Sequence, residues 1–453
     1  MHNITYNVGI WGYGLVGQSI ARYMRYRGHE VTVFDASIAR EYCDMSTGIQ
    51  FMPEHAIYTH TCDYIVPSPG IDMNTTPSIR SQCVTEYDIY AQASTTPHIG
   101  ITGSLGKTTI TSLLTHTLNV HGISACYGGN IATAMCDLLD DVRNVDYHVL
   151  ELSSFQLEHI THAAPDIAVL TNIHPNHLNR HGTRDAYTAA KCNIFRYQRD
   201  NQHAIIPISM RHYLSQIHPY RACCPIAESH HAYVTYAHML HAQDAVYYIH
   251  EQHIYKAHNH TTTCVTHIPD TVTFAYNWLI VAAVCDICGI SHPRADTHTI
   301  EHTPHRREYI GTYAGVAWYN DSKATIMAAT YAAVQSLSDY SIILILGGQS
   351  KGVSREPYMK ALAQHVSHIT CFGEEADHIY TTCQTYHIPA SQCTTVRDAV
   401  RDAASRAQPG TIVIFSPGGA SFDQFTSYHK RGREFTYQAS MLQYRKETNT
   451  CIL

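Results

Sequence analysis

The chain has no long hydrophobic run. Its longest, Trp278 to Cys285, stops at Asp286 and falls far short of the ~20 apolar residues that a membrane-spanning helix needs. No basic-then-apolar segment precedes the first strand-like run, Val8 to Trp11, so nothing there signals export. An excess of positive charge is missing too: 30 Lys+Arg stand against 37 Asp+Glu, a formal net charge of −7. That balance gives no electrostatic ground for a nucleic-acid or acidic-membrane partner. The 15 Cys form no regular even framework, which argues against a disulfide-stapled secreted domain and for reduced thiols in the cytoplasm. The close pair Cys285 and Cys288 lies in an apolar helical stretch, and the adjacent Cys223 and Cys224 suit a metal no better. There is no internal repeat, heptad or low-complexity tract.

What is present is a chain of 453 residues with 45% hydrophobic content, enough for about three domains. The 34 His and 32 Tyr are many, and the histidines carry the net charge upward in mild acid. Short Val/Ile-rich runs alternate with helix-compatible stretches and glycine turns, which predicts successive α/β units on mostly parallel sheets. The expected division is 1–95, a Rossmann-like unit; 96–299, a central unit with a phosphate-binding loop; and 300–453, a second Rossmann-like unit. The first opens with a strand from Asn7 to Trp11 and a helix reaching about Arg27. The second has strands His98 to Thr102, Tyr147 to Glu151 and Ile167 to Asn172, and the third Val316 to Tyr319, Ser341 to Leu346 and Thr411 to Phe415. The His-rich stretch from Asn201 to Pro269 holds strand-like pieces such as Ala245 to His250, with no chemistry of its own assigned.

Thr102-Gly103-Ser104-Leu105-Gly106-Lys107-Thr108-Thr109 follows an apolar strand and precedes a helix, the context that a nucleotide phosphate cradle requires. Glycines let backbone N–H groups converge on phosphate oxygens, and the helix N-terminus adds partial positive charge. Lys107 can reach the outer phosphates and Thr108 can ligate Mg²⁺. Ile101 stands where the strict pattern has its first glycine, so the loop is a variant. A second glycine turn, Gly12-Tyr13-Gly14-Leu15-Val16-Gly17 with Asp35 further on, satisfies the dinucleotide fingerprint and by itself reads as an NAD-dependent oxidoreductase.

Beyond the loop, Glu151-Leu152-Ser153-Ser154-Phe155-Gln156-Leu157-Glu158 closes the next strand. Gly128-Gly129-Asn130-Ile131, His177 with Leu178, Ala189-Ala190-Lys191, Pro304-His305-Arg306, Asn320 through Thr325, Gly347-Gly348 and Ser416 through Phe425 follow in order. Together these segments resemble the Mur ligases of peptidoglycan synthesis across nearly the whole chain. The resemblance implies three domains, which hold a uridine nucleotide, bind ATP, and supply further ATP and amino-acid contacts. It implies ATP-dependent ligation of D-glutamate to UDP-N-acetylmuramoyl-L-alanine through an acyl phosphate, by a monomer using Mg²⁺ at two sites. A carboxylate is a poor electrophile until its oxygen becomes a leaving group, and cations must offset the repulsion between it and the polyanionic nucleotide.

By the same resemblance Lys107, Glu151, His177 and Lys191 are catalytic, and Thr108, Glu151, His177 and a carbamylated Lys191 are metal ligands. ATP falls to Gly103, Ser104, Gly106, Lys107, Thr108, Thr109, Asn277, Arg306 and Asp321. The uridine substrate falls to Leu15, Val16, Asp35, Ser37, Gly70, Asn130, Ser153 and Gln156, which makes the first glycine turn a substrate grip. D-Glutamate falls to Lys323, Thr325, Lys351, Ser421 and Tyr428; cations and hydroxyls suit a dicarboxylate. Leu105, Tyr276, Ile280 and Ile326 depart from the family pattern by replacing polar residues near the expected nucleotide contacts. Another ligase with the same core, diamino-acid-adding or folylpolyglutamate-type, is the alternative, although the Asp-Asn-Pro-Arg-type motif of the former is missing. A GTPase would carry Asn-Lys-x-Asp, also missing.

Overall fold

The structure, a computed structural model, describes residues 4–139, 144–217, 223–269, 274–294 and 304–449. The expected boundary at 299/300 lies outside the described residues. The fold is α/β, with three mostly parallel sheets. Two compact units divide the chain: Met1–Ile173 with Asp185–Ile300, and His174–Arg184 with Glu301–Leu453.

The first unit carries two sheets. The smaller runs, in spatial order, Tyr42–Asp44, Ile49–Pro53, Glu30–Asp35, Asn7–Trp11, Tyr64–Pro67, parallel except for its short first strand. Helix Leu15–Tyr26 lays Ile20, Ala21, Tyr23 and Met24 on it, the apolar stripe of a 3.6-residue period. Gly28, at φ 83°, takes the left-handed turn past the helix end that favours glycine.

The larger sheet has nine strands in the order Thr261–His267, His253–His258, Val246–His250, Cys224–Ala227, His203–Pro207, Ile167–Leu170, His98–Thr102, Tyr147–Glu151, Ala125–Gly129. The His-rich stretch thus extends the sheet, with its last three strands paired antiparallel to one another in turn. Its aromatics pack on one another, as where Tyr233 stacks on Tyr248 at 4.8 Å. Strand His98–Thr102 is buried throughout, as expected of a central parallel strand covered on both faces. On one face Ile99, Ile101, Val149 and Val169 meet helices Lys107–Val120 and Ala275–Ile287; on the other Leu150, Ala168 and Leu170 meet Tyr87, Tyr90 and Leu157. The longest apolar run of the sequence is this second helix, fully buried from Trp278 to Cys285, where each Leu, Ile or Val contributes ~1.5–3 kcal/mol. Among the described residues no helix is long and apolar enough to cross a membrane.

The second unit holds a six-stranded sheet: Glu308–Tyr313, Val316–Asn320, Ile412–Phe415, Ile342–Gly347, His368–Phe372, Ala390–Cys393. All pairs are parallel except the first hairpin. Val316–Asn320, Ile342–Gly347, His368–Phe372 and Ile412–Phe415 end at one edge, where open α/β sheets place their ligands.

Candidate active site

The phosphate-binding loop sits where strand His98–Thr102 meets helix Lys107–Val120. Gly103 has φ 147°, and a Cβ there would lie 1.9 Å from Thr171 Oγ1; Gly106 has φ 86°, and a Cβ there would lie 3.0 Å from Asn277 Oδ1. Both positions need glycine, on conformation and on space. Ser104 falls on the loop, and Lys107, Thr108 and Thr109 on the first helical turn. Lys107 Nζ donates to the carbonyl of Gly103 at 2.9 Å, folding its charge over the loop.

Thr108 Oγ1 donates to Glu151 Oε2 at 2.6 Å, and Asn130 Nδ2 donates to Glu151 Oε1 at 2.9 Å. The carboxylate ends strand Tyr147–Glu151, whose parallel pairing with His98–Thr102 brings it to the loop. Lys191, on helix Arg184–Cys192, is only 2% exposed and donates from Nζ to Thr102 Oγ1 at 3.2 Å. Burial, and then the charge of Lys107, hold its ammonium well below the usual lysine range, favouring the neutral amine. Thr108 and Glu151 offer hard oxygen donors, while no group of three or more His, Cys, Asp or Glu among the described residues could hold a metal ion by itself. That donor set fits Mg²⁺, which binds through one or two carboxylates together with substrate phosphates and not in an all-protein cage. His177, at φ 54° before the turn Leu178–His181, belongs to the second unit.

Three residues that sequence reasoning passed over shape this loop. Leu105 N–H donates to Asn172 Oδ1 at 2.9 Å, and Leu105 O accepts from Asn172 Nδ2 at 3.1 Å and Thr171 Oγ1 at 2.7 Å. Tyr187 shares a 3.0 Å hydroxyl contact with Ser104 and lies beneath Lys191, whose Nζ is 5.0 Å from its ring. Tyr276, one of the departures, donates its hydroxyl to Thr171 O at 2.8 Å and braces the same corner. The one local signal was Thr-Asn directly after an apolar strand.

At the first glycine turn Asp35 accepts from Tyr13 N–H at 2.7 Å and from the Ser37 N–H and hydroxyl at 2.9 and 2.6 Å. The Ser37 bonds hold its carboxyl below the usual range. A Cβ on Gly17 would lie 2.0 Å from Gly12 O, so the helix can start close under the turn only with glycine there. Leu15 is 80% exposed and Val16 is half-buried. Gly70 is exposed on the loop where Ser68 Oγ donates to Gly12 O at 3.0 Å. Ser153 and Gln156 close a capping box on each other at the start of helix Ser154–Leu157, which gives both a local structural task.

In the second unit the strand ends gather the rest. Asp321 accepts from Ser416 Oγ at 2.7 Å and Arg307 N–H at 3.1 Å, and burial pushes its carboxyl up to about 6 against those bonds and the nearby Arg306 charge. Lys323 Nζ donates to the Tyr428 hydroxyl at 2.8 Å and lies 4.0 Å from its ring centre. Lys351 Nζ donates to Thr325 Oγ1 at 3.0 Å, and the two line a pocket with Ser350, Arg355, Tyr358 and Glu375. Ser421 is buried nearby in sequence to Ala420, whose backbone pairs with Gln349.

Residues 101–285 match the Mur ligase middle domain and residues 305–419 the Mur ligase glutamate ligase domain. The chain belongs to the Mur ligase family. A UDP-N-acetylmuramoylalanine--D-glutamate ligase of Legionella pneumophila (strain Lens) is 30% identical to it, over 94% of this chain and 97% of the relative. One of Koribacter versatilis (strain Ellin345) is 32% identical, over 94% and 95%. Among solved structures, MurF ligase from Thermotoga maritima in complex with ADP shares the fold with a TM-score of 0.58 at 15% identity, over 92% of this chain and 96% of that one.

Proposed function

We propose that this chain ligates D-glutamate to UDP-N-acetylmuramoyl-L-alanine, converting ATP to ADP and phosphate, in peptidoglycan precursor synthesis. The observation that carries the reading is the Lys107, Thr108 and Glu151 constellation at a strand-loop-helix junction, in a chain similar along its length to ligases of that name. We assign the uridine nucleotide to 1–95, ATP to 96–299 and further ATP and amino-acid contacts to 300–453, in a cytoplasmic monomer.

The substrate carboxylate oxygen bonds to the γ-phosphorus, ADP leaves, and the resulting acyl phosphate is attacked at its carbonyl carbon by the amine of D-glutamate. Phosphate then leaves and the new amide nitrogen sheds its proton. Lys107, now folded onto the Gly103 carbonyl, turns its Nζ to the incoming phosphate oxygens, and the loop N–H groups hold the remainder. Thr108, Glu151, His177 and Lys191 are assigned to Mg²⁺ at two sites. When bound, the ion offsets the charge between carboxylate and phosphate. The neutral Lys191 amine favoured by burial is the form that would add to CO₂, and release of one N–H proton would leave a carbamate, an anionic oxygen ligand.

Asn277, against Gly106, is assigned to ATP with Arg306 and Asp321. Leu15, Val16, Asp35, Ser37, Gly70, Asn130, Ser153 and Gln156 are assigned to the uridine substrate. Lys323, Thr325, Lys351, Ser421 and Tyr428 take D-glutamate, a role supported by the cation and hydroxyl that Lys351 and Thr325 bring to one pocket. In a coupled assay ADP release requires both UDP-N-acetylmuramoyl-L-alanine and D-glutamate. Equal turnover with L-lysine or meso-diaminopimelate would overturn the amino-acid assignment.

A further inference from the structure

The loop that carries Lys351 is closed at its base by a buried guanidinium. It leaves strand Ile342–Gly347 and ends where Arg355 caps helix Glu356–Leu362. Arg355, 3% exposed, reaches back to the last residue of that strand: Nη2 donates to Gly347 O at 3.3 Å. Nη1 donates to Pro417 O at 3.3 Å on the neighbouring loop, and to Met327 Sδ at 3.1 Å. Nε and Nη2 both meet Glu375 Oε2, at 3.1 and 2.5 Å, from the loop after strand His368–Phe372. A guanidinium has five N–H donors, and these five contacts engage them all. None is left for a ligand, although Arg355 lines the same pocket as Thr325 and Lys351.

We infer that Arg355, neutralised by Glu375, is a positioning residue of this pocket: it ties three strand-end loops together so that Lys351 and Thr325 meet the amino acid's carboxylate in fixed geometry. The loops are already in register through Gly347 N–H to Pro417 O at 3.0 Å and the two Gln349–Ala420 backbone bonds at 2.9 Å. Arg355 adds the only side chain among the described residues that bonds to both Gly347 and Pro417. Because Glu375 matches the Arg355 charge, Lys351 is the cation of this pocket that the substrate meets. The inference rests on reading this pocket as the amino-acid site.

Steady-state kinetics of the full chain test it, with Arg355→Met, Arg355→Lys and Glu375→Gln compared with wild type. In Arg355→Met the KM for D-glutamate rises about 10- to 100-fold, as expected when a binding side chain shifts by a fraction of an ångström to an ångström. The KM values for ATP and the uridine nucleotide and the kcat at saturating D-glutamate stay within a few-fold. Arg355→Lys recovers part of the loss, and Glu375→Gln raises the D-glutamate KM by about 3- to 10-fold, because one charged partner becomes neutral. An unchanged D-glutamate KM, or all three KM values and kcat moving together, overturns the inference. Should Arg355→Met fail to fold by circular dichroism, the other two variants decide by the same criteria. Wild-type turnover that ignores D-glutamate would instead overturn the functional reading, and the same KM comparison is then made with the amino acid that the wild type uses.

Discussion

The first unit contains two glycine turns that look alike as text and differ as objects. Both follow a buried parallel strand and open a helix, Leu15–Tyr26 in one case and Lys107–Val120 in the other. Around Gly12 the fixed charge is an acid: Asp35 turns its carboxylate onto the backbone of Tyr13 and Ser37, and the exposed residue at the helix start is Leu15. Around Gly106 the helix starts with Lys107 and Thr108, and the acid, Glu151, receives the Thr108 hydroxyl. Backbone geometry makes each turn able to approach a phosphate; the side chains beside it decide what arrives. The more regular glycine pattern belongs to the turn without the lysine, so regularity of a motif is no guide to which side chains stand beside it.

The comparison breaks most readily at Lys107. Lys107→Ala is expected to lower turnover by at least about 10³-fold, since a preorganised donor to developing phosphate charge is removed. Calorimetry should show uridine-nucleotide affinity within about 2-fold of wild type; a parallel loss of that affinity would mean that the two turns do not serve separate ligands. Lys191→Ala comes next, with a loss of about 10²-fold in kcat. A variant as active as wild type would leave Thr102 and Tyr187 as the whole reason for that buried lysine.

How much of this was legible follows from where the partners lie in sequence. The loop, its strand and its helix are contiguous, so Gly-Lys-Thr-Thr after an apolar run announces all three. Thr171 and Asn172 directly follow strand Ile167–Leu170, the third strand after His98–Thr102 in sequence, and the pairing of Thr102 with Leu170 delivers them to Leu105. Nothing local encodes that register. In the second unit Ile412–Phe415, last in sequence, inserts between Val316–Asn320 and Ile342–Gly347, which is why Pro417 meets Arg355. Nothing next to Arg355 in sequence names its partner, because the neutralising Glu375 lies past the following strand, His368–Phe372. Ser153 and Gln156, which the resemblance assigns to the uridine substrate, also form a capping box with each other, a local task that their spacing encodes.

At the first turn the expected effect is smaller. Asp35→Asn keeps one acceptor but points an amide at backbone and hydroxyl donors, and should weaken uridine-nucleotide binding about 10-fold with the KM for ATP unaltered. The acid limb sharpens the assignment. Because Ser37 depresses the folded-state pKa of Asp35, its stabilising contribution is fully present above the ordinary carboxylate range and is lost as pH falls through the lowered value. Thermal unfolding followed from about pH 6 to pH 3 should show a shallower acid-side decline in Asp35→Asn than in wild type. An identical decline would remove Asp35 from the control of that turn.

The smallest effect is expected at Leu105, one of the departures from the family pattern. Its backbone is held from both sides by Asn172, and its carbonyl also by Thr171, contacts that do not depend on the Leu105 side chain. Phosphate oxygens are met in such loops by N–H groups, whose directions these bonds already fix. Leu105→Asn should therefore change the KM for ATP by only about 2- to 3-fold, whereas Asn172→Ala, which releases the Leu105 N–H and C=O, should change it by about 10-fold. If Leu105→Asn instead improved ATP binding tenfold, the side chain and not its backbone would be what the loop presents. The second turn would then resemble the first in depending on a polar side chain.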